Sequence, residues 1–356
     1  MKPSWESSFR VLTLMAGSSA DGVSAALMRL RLFPTPSYEL LVGKTLPYPE
    51  ALHQTLQQAL NLPAPELFQL SITYTDWTAD ILHTHFSQWI YDLIVWHPHN
   101  LYHSPSEGLT WSLGDSERLR AKAKAPIVTH LRARDIAWGG TGAPLIPNAD
   151  AYLFTTYQTL INLGGIANIT HLPTYVAYDI GPCNQLLNAL AAQAQPPLPY
   201  DPEGQIAASG QVIPELLETF LAHPFFQHPP PKALDNRTVQ EDFVKLFCSY
   251  SAPLADRLHT AVIGIVHLLK SALIEVGART FTLTGGGTYN TFLVRRLVEM
   301  VEPLGISYRA APAPLVDYRE AIGFGLLGLW RWLNHPNIDR RWTGAQCDTY
   351  SGLLSL

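Results

Sequence analysis

The chain has 356 residues, of which 47 % are hydrophobic and 15 % are charged, and its formal net charge at pH 7 is −5. This composition excludes an intrinsically disordered chain, and the negative charge argues against a nucleic-acid-binding protein, which needs a basic surface. Because a single hydrophobic core rarely grows beyond about 250–300 residues, the length favours two domains.

The cysteines and apolar segments indicate the compartment. Cys183, Cys248 and Cys347 are widely spaced and form no CxxC motif, which argues against a disulfide framework and a zinc site. The N-terminus lacks the apolar stretch of a signal peptide. The most apolar predicted helix, residues 261–276, is interrupted by polar side chains and is expected to be too short to span a bilayer. The sequence therefore predicts a cytoplasmic protein that does not bind membranes.

The first predicted strand, residues 10–15, leads into a loop of small and hydroxyl side chains, and a second apolar segment spans residues 23–32. Small residues after a strand let the backbone approach a phosphate, so this loop is a candidate nucleotide-binding segment. Its residues are Gly17, Ser18, Ser19, Ala20, Asp21, Gly22, Val23 and Ser24. An ordinary hairpin loop is the alternative, because Asp-Gly is a common turn and no lysine follows as in a Walker-type loop.

Helices are predicted over residues 48–61, 76–90 and 115–124, and strands over residues 67–74, 90–96, 109–113 and 127–131. Three histidines, His97, His99 and His103, follow the strand that ends at residue 96. Such a group can bind a metal or contact a polar substrate, but no carboxylate completes a metal-ligand pattern. A substrate contact by one histidine is therefore favoured, and no metal site is predicted.

Arg132 and Arg134 follow the strand that ends near residue 131 and precede a glycine-rich loop, residues 139–144. An arginine pair in this position suits an anionic or polyhydroxyl ligand, although a surface Arg-Asp pair at a domain junction is an equal alternative. The first domain boundary is predicted here. Residues 1–130 with 336–356 form the predicted N-terminal α/β domain, and residues 131–335 form the C-terminal one.

Residues 158–188 contain the main candidate site. An apolar strand, the turn Gly164-Gly165 and a returning strand predict a β-hairpin. A further strand, residues 175–178, is expected to deliver Asp179 at its C-terminal end, and Asn184 is the predicted N-cap of a helix with Leu186, Leu187 and Leu190 on its buried face. A carboxylate between a strand end and a helix N-terminus is a typical ligand position in open α/β sheets, although a turn or capping role is the simpler alternative.

Helices predicted over residues 203–210, 213–221, 238–248 and 256–274 precede a buried strand, residues 280–284, that meets Gly285, Gly286 and Gly287. A strand followed by three glycines suits a purine or phosphate ligand, because bulky side chains would block access of the ligand to the backbone. A tight turn without a ligand is the alternative. A last strand, residues 306–309, and a helix, residues 317–333, follow. The order of strand, glycine turn and strand occurs in both halves of the chain. This repetition predicts two similar α/β domains facing a cleft, as in a phosphotransferase that closes on its substrates.

Six segments together resemble the anhydro-N-acetylmuramic acid kinases, a family within the actin, sugar-kinase and Hsp70 ATPase superfamily. The segments are MAGSSADGVSAAL, LRARDIAWGGTGAPLIP, INLGGIANIT, YDIGPCNQLLN, LTGGGTYNTFLVRRL and DYREAIGFGLL. Their order and spacing agree with the family over nearly the whole chain. The resemblance implies an α/β fold of two ribonuclease-H-like domains facing a cleft, which is the actin-like ATPase fold.

The resemblance also implies a reaction. Such kinases use ATP and Mg²⁺ to open the 1,6-anhydro bridge of anhydro-N-acetylmuramic acid and to phosphorylate O6, giving N-acetylmuramic acid 6-phosphate in cell-wall recycling. Asp179 matches the general base, which takes a proton from the water that attacks the anomeric carbon, while the freed O6 attacks the γ-phosphorus. Mg²⁺ is expected to be held by phosphates and water, and a homodimer is common for such kinases.

The remaining site residues are assigned by position in the matching segments. The implied nucleotide-binding residues are those from Gly17 to Ser24, with Gly164, Gly165, Gly181, Gly285, Gly286, Gly287 and Asn290. The implied sugar-binding or supporting residues are His97, Arg132, Asn168 and Glu320.

The chain departs from the family motifs mainly on the sugar side. Residues 97–100 are HPHN in this chain, where the family motif is HGQT. The other replaced positions are Ser24, His130, Thr141, Cys183 and residues 232–237. A side chain at Cys183, where the family has glycine, is expected to crowd the phosphates or change the turn. Two alternatives stay open: a kinase for a different anhydro or free sugar, and a catalytically impaired sensor that binds nucleotide or sugar.

Overall fold

The structure is a computed structural model that describes residues 8–17, 22–123, 125–230 and 232–356. Its strands are β1 Ser8–Ala16, β2 Gly22–Arg31, β3 Ser37–Pro47, β4 Leu93–His97, β5 Asn100–Ser104, β6 Leu109–Ser112, β7 Ile127–Thr129, β8 Thr159–Leu163, β9 Ile166–His171, β10 Val176–Pro182, β11 Thr280–Thr284, β12 Ser307–Tyr308 and β13 Leu353–Ser355.

The helices alternate with these strands. They are α1 Glu50–Gln57, α2 Ala64–Phe86, α3 Ser116–Ala123, α4 Ala133–Ala137, α5 Ile146–Leu153, α6 Asn184–Ala191, α7 Gln205–Ser209, α8 Pro214–Leu221, α9 Pro224–Gln227, α10 Asn236–Thr238, α11 Lys245–Ser249, α12 Leu254–Glu275, α13 Thr291–Val301, α14 Ala313–Trp332 and α15 Arg340–Thr343. A π-helical stretch, Val239–Val244, joins α10 to α11.

The chain divides into two compact units. Unit 1 comprises residues up to Phe154 together with Tyr318–Leu356, and unit 2 comprises Thr155–Asp317. The predicted boundaries, near residues 130 and 336, differ from this division. Residues 318–335 lie in unit 1 because α14 packs directly on the unit 1 sheet: a Cβ on Gly325 would lie 2.7 Å from Thr13 Oγ1, and one on Gly328 would lie 2.2 Å from a methyl carbon of Val95.

The sheets of the two units share a five-strand arrangement, to which unit 1 adds β13, antiparallel beside β7. In unit 1 the order is β13-β7-β4-β1-β2-β3, and in unit 2 it is β10-β9-β8-β11-β12. In each, three consecutive strands pair antiparallel, and two later strands add in parallel beside the first of them. This order is the ribonuclease-H-like arrangement, so the prediction of two α/β domains of one type is confirmed. Their placement about a cleft stays a prediction.

One predicted strand is wrong. Residues 67–74 belong to α2, a helix of 23 residues. Their β-branched and aromatic side chains favour a strand locally. The buried positions Leu70, Tyr74, Thr78 and Leu82 recur every four residues, however, so tertiary packing places one face of a helix on the core. The strand β3 and the short strand β5 were not predicted.

Helix α12 forms the centre of the unit 2 core. It begins at Leu254, earlier than predicted, and Leu258, Val262, Ile265 and Leu269 are among its buried residues. By length and composition it could cross a membrane, contrary to the expectation that it is too short and too polar. In its most apolar window, 61 % of the residues are buried within the protein, which is also a property of core helices in globular domains.

Candidate active site

A row of polar side chains crosses the sheet of unit 2. Asp179 of β10 lies opposite Asn168 of β9, Asn168 lies opposite Asn162 of β8, and Thr284 of β11 pairs with Asn162 on its other side. Side chains alternate along a strand, and the sequence neighbours of these residues, such as Ile161, belong to the hydrophobic core. The polar row therefore lies on the face of the sheet opposite that core.

Asp179 lies within β10, not at its end as predicted. The strand continues to Pro182, with a register shift between Asp179 and Gly181. Irregular pairing of this kind commonly re-aims a side chain next to a functional site. The backbone N–H of Asp179 donates to Lys232 O at 3.0 Å, and its carboxylate Oδ2 accepts from the N–H of Leu234 at 2.9 Å.

The N-terminus of α6 holds the glycine hairpin. Cys183 N donates to Gly165 O at 3.0 Å, Asn184 N to Gly164 O at 3.0 Å, and Gln185 N to Gly165 O at 3.2 Å. Asn184 is the first residue of the helix and not its N-cap, because its side-chain amide donates to Leu163 O at 2.8 Å. These three backbone amides therefore bind the turn, and the expected anion site at this helix end is not formed by them.

Cys183 packs in the core of unit 2. Its side chain is fully buried, and burial raises the pKa of the thiol to about 12. The side chain points into this core, which argues against crowding of the phosphates, and the changed turn stays a prediction. Leu186, Leu187 and Leu190 are buried as predicted.

The triple-glycine loop packs against the same hairpin. A Cβ on Gly285, whose φ is +82°, would lie 2.5 Å from Asn162 Oδ1, and one on Gly287 would lie 2.7 Å from Leu163 Cβ. These two glycines are thus required by contacts within unit 2. Among the residues that the structure describes, a Cβ on Gly286 would lie within 4 Å of Asn184 Nδ2 alone, at 3.9 Å, so these residues leave space beside Gly286.

Other predicted nucleotide-binding residues have structural roles of their own. Gly181 faces Phe226 and Leu268, which would lie 3.0 and 2.9 Å from a Cβ there. Asn290 caps α13, with its side chain accepting from Leu293 N at 3.0 Å. Gly17 directly follows β1, and Gly22, Val23 and Ser24 begin β2. The remaining residues of that predicted loop, Ser18, Ser19, Ala20 and Asp21, lie outside the described residues.

Unit 1 brings together three of the four predicted sugar-binding residues. Arg132 Nη2 lies 3.5 Å from His97 Nε2, and the His97 ring stacks on Phe324 with centroids 4.1 Å apart. Glu320 interacts electrostatically with Arg132. Burial raises the pKa of the Glu320 carboxyl, and the guanidinium groups of Arg319 and Arg132 oppose that rise. The fourth residue, Asn168, belongs to the polar row of unit 2.

The histidines around Arg132 are neutral at physiological pH. Burial, reinforced by the Arg132 charge, holds the pKa of His97 well below its usual range and lowers that of His103 to about 4. Burial alone lowers the pKa of His99 to about 4 and also lowers that of His130. His97 and His103 therefore lie uncharged beside the Arg132 guanidinium, which keeps its charge for an anionic ligand.

The loop after α4 holds Arg132 in place. Arg132 Nη1 donates to Gly142 O at 2.7 Å. The loop itself is fixed by buried Asp135, which accepts from Gly142 N and from Thr343 Oγ1, each at 2.8 Å. A Cβ on Gly140 would lie 2.2 Å from Asp135 Oδ2, so this glycine permits the close approach.

Several residues of the site were not found from the sequence. Asn162 joins the polar row, and its signal was a lone amide within an apolar strand. Lys232 and Leu234 contact Asp179 through backbone groups, which leave no signal in side-chain patterns. Among the residues that the structure describes, no group of three or more His, Cys, Asp or Glu side chains could hold a metal ion.

Comparison with known proteins gives matches over nearly the full chain. The family model described as anhydro-N-acetylmuramic acid kinase matches residues 9–355. The protein of that name from Microcystis aeruginosa (strain NIES-843) is 32 % identical and covers 96 % of this chain and 98 % of its own. The one from Prochlorococcus marinus (strain MIT 9303) is 31 % identical, with coverages of 95 % and 97 %.

Solved structures match with lower sequence identity. Component A of (R)-2-hydroxyglutaryl-CoA dehydratase from Acidaminococcus fermentans is 12 % identical with a TM-score of 0.45, and the match covers 91 % of this chain and 99 % of that one. A ROK family glucokinase from Streptomyces griseus, in complex with glucose and AMPPNP, is 10 % identical with a TM-score of 0.44 and coverages of 90 % and 99 %.

Proposed function

The chain belongs to the anhydro-N-acetylmuramic acid kinase family, and on that premise we propose that it opens the 1,6-anhydro bridge of anhydro-N-acetylmuramic acid and transfers the γ-phosphoryl group of ATP to O6. The product is N-acetylmuramic acid 6-phosphate. The observation that supports this most directly is the polar row of unit 2. Asp179, in register with Asn168, lies on the face of the sheet opposite the hydrophobic core, on the strand next to the glycine hairpin.

Asp179 is the general base in this proposal. Its carboxylate takes a proton from the water that attacks the anomeric carbon, and the bond from that carbon to the bridging oxygen breaks. The freed O6 attacks the γ-phosphorus, whose bond to the ADP oxygen breaks as ADP leaves. A well-placed general base contributes about 10²–10⁴-fold to a rate. The bond from Leu234 N to Asp179 Oδ2 holds the carboxylate in one orientation, which this proton transfer requires.

The nucleotide is proposed to lie along the hairpin and the triple-glycine loop of unit 2. The missing side chain at Gly286 leaves the backbone of this loop accessible, which supports a nucleotide beside it. Mg²⁺, bound through the phosphates and water, supplies charge neutralisation at the transferring group. Gly17 to Ser24 are proposed to contribute phosphate contacts as well.

The sugar is proposed to contact His97, Arg132 and Glu320 of unit 1 and Asn168 of unit 2. Arg132 suits the lactyl carboxylate of a muramic acid, because guanidinium and carboxylate pair in a planar, bidentate geometry. Neutral His97, stacked on Phe324, offers a hydrogen bond without adding charge. We also propose a cytoplasmic location. We further propose that the protein forms a homodimer, and light scattering would test this by measuring the mass of the particle in solution.

We expect Gly286→Ala to weaken nucleotide binding without destabilising the fold. The added Cβ has room in the protein, so a tenfold rise in Kd, about 1.4 kcal/mol, would come from a clash with the nucleotide. The matched variant Gly285→Ala is expected to lower the free energy of unfolding by about 1–3 kcal/mol, because a left-handed backbone and Asn162 oppose it.

Calorimetric titration with a non-hydrolysable ATP analogue measures the Kd, and circular dichroism melting measures stability. An unchanged Kd for Gly286→Ala would contradict a nucleotide beside that residue.

The experiment that tests the function is a coupled assay of ADP release with ATP and Mg²⁺. The sugars are 1,6-anhydro-N-acetylmuramic acid, levoglucosan, N-acetylmuramic acid and N-acetylglucosamine. ADP release with the first alone, with a 6-phosphate product, is the expected result. ADP release only with another sugar would show that this other sugar is the substrate. ATP binding without turnover of any of the four sugars would indicate a sensor and not a kinase.

A further inference from the structure

We propose that residues 232–236 form a strap that positions the Asp179 carboxylate, and that Lys232 is the positioning residue on which the strap depends. The inference rests on the proposed role of Asp179 as the general base. It goes beyond that role because it assigns a function to a loop whose side chains depart from the family motif.

The strap covers the edge of the unit 2 sheet at Asp179. Strand β10 is an edge strand, so its outer backbone groups need partners from elsewhere. Lys232 O accepts from Asp179 N at 3.0 Å, and Leu234 N donates to Asp179 Oδ2 at 2.9 Å. Backbone and carboxylate of the same residue are thus held by one short segment.

Lys232 anchors the near end of the strap. Its ammonium lies 5.6 Å from the centroid of the Tyr178 ring and 5.2 Å from that of Phe225, and it donates to Phe226 O at 3.4 Å. These distances are typical of cation–π contacts, which strengthen when the cation is partly desolvated. Loss of the ammonium would therefore remove the contacts that hold this end of the loop.

The rest of the strap is tied to other elements of unit 2. The side chain of Leu234 is buried in the core. At the far end, Asn236 Oδ1 accepts from Gln185 Nε2 of α6 at 2.8 Å, and Asp235 caps the short helix α10 through Thr238 N at 2.8 Å. Because this contact to the carboxylate is made by a backbone N–H, a side-chain replacement in the loop should affect it only where the replacement releases an anchor of the strap, as at Lys232.

The strap has two chemical consequences for Asp179. A donated N–H favours the ionised carboxylate and so lowers its pKa, and it also restricts the side chain to one rotamer. Among the described residues of β10 and the strap, the titratable neighbours of Asp179 are Tyr178, Lys232 and Asp235, and Tyr178 donates to Glu275 of α12 at 2.7 Å. The residue opposite on β9 is Asn168, which does not titrate. Loosening the strap should therefore raise the pKa of Asp179.

The test compares Lys232→Met with Lys232→Arg and with Lys245→Met, a control at an exposed lysine of α11. Lys232→Met is expected to lower kcat by about 10–100-fold, as a small misplacement of a reacting group does. The KM for ATP should change less than twofold, and the acidic limb of the kcat/KM profile should move to higher pH. Lys232→Arg, which keeps a cation between the rings, should recover most of kcat, and Lys245→Met should match the parent protein.

A second readout does not depend on turnover. In protein labelled with ¹³C at the aspartate carboxyl carbons, the signal absent from Asp179→Asn identifies Asp179, and its pH titration gives the pKa. A higher pKa in Lys232→Met than in the parent protein and Lys232→Arg is expected. If Lys232→Met does not fold, the same titration is carried out on Gln185→Ala, which removes the contact at the far end of the strap. A higher pKa of Asp179 in that variant is then the expected result.

The outcomes separate the two proposals. An unchanged carboxyl titration together with an unchanged kcat in the strap variants would overturn the strap. A shifted titration in a protein that turns over none of the sugars would support the strap as a conformational element and overturn the proposed reaction.

Discussion

We expect Asp179→Asn to lower turnover of the anhydro sugar by about 10²–10⁴-fold, because an amide cannot take the proton from the attacking water. Asparagine has the same shape, and its carbonyl oxygen can still accept from Leu234 N, so the strap and the sheet should be preserved. Affinity for an ATP analogue should therefore change less than twofold. The coupled ADP assay measures turnover, and calorimetric titration measures affinity.

The matched control is Asp242→Asn, an exposed aspartate of unit 2 whose carboxylate lies 3.2 Å from His223 Nε2. Its turnover should stay within twofold of the parent protein. If Asp179→Asn kept a tenth or more of the parent turnover, the assignment of Asp179 as general base would be wrong, and another residue would have to activate the water.

The largest expected effect on stability comes from Arg319→Met in unit 1. Arg319 and Asp150 form a two-bond ion pair, with Nε donating to Oδ1 at 3.0 Å and Nη2 to Oδ2, and their side chains are 3 % and 0 % exposed. Removing one partner leaves a buried charge without compensation, which costs about 3–5 kcal/mol of the free energy of unfolding. Urea denaturation followed by circular dichroism and by fluorescence measures this loss.

Two further variants make this measurement specific. Arg296→Met removes an exposed arginine that pairs with Glu299 at 2.8 Å, and it should change the free energy of unfolding by less than about 1 kcal/mol. Adding Asp150→Leu to Arg319→Met removes the stranded charge and should recover much of the loss, because apolar replacements of buried pairs are often nearly neutral. Equal stability of Arg319→Met and Arg296→Met would show that the buried pair contributes nothing.

One departure from the family motif has a backbone explanation. His130 has a φ of +53°, a left-handed conformation in which Asp, Asn and His are several-fold enriched among non-glycine residues. Histidine at this position therefore permits the turn between β7 and α4 that brings Arg132 next to His97.

Local patterns predicted the parts of the site that depend on neighbouring residues. The turn at Gly164-Gly165 was predicted from two glycines between apolar runs, and the strand Thr280–Thr284 has the predicted bounds. Asn290 caps α13 because its side chain reaches an amide three residues away in the sequence. Asn184 was misassigned as a cap because its amide is instead bound by a carbonyl 21 residues earlier.

The family, the repeated α/β plan and the identity of Asp179 as the candidate base follow from the order of motifs along the chain. The polar row does not, because cross-strand register aligns Asp179, Asn168 and Asn162 through pairings that no local pattern specifies. The strap depends on the fold for the same reason: Leu234 lies 55 residues from Asp179 in sequence and 2.9 Å from it in space. Backbone donors are identical in every residue except proline, so only folding selects the one that holds the carboxylate.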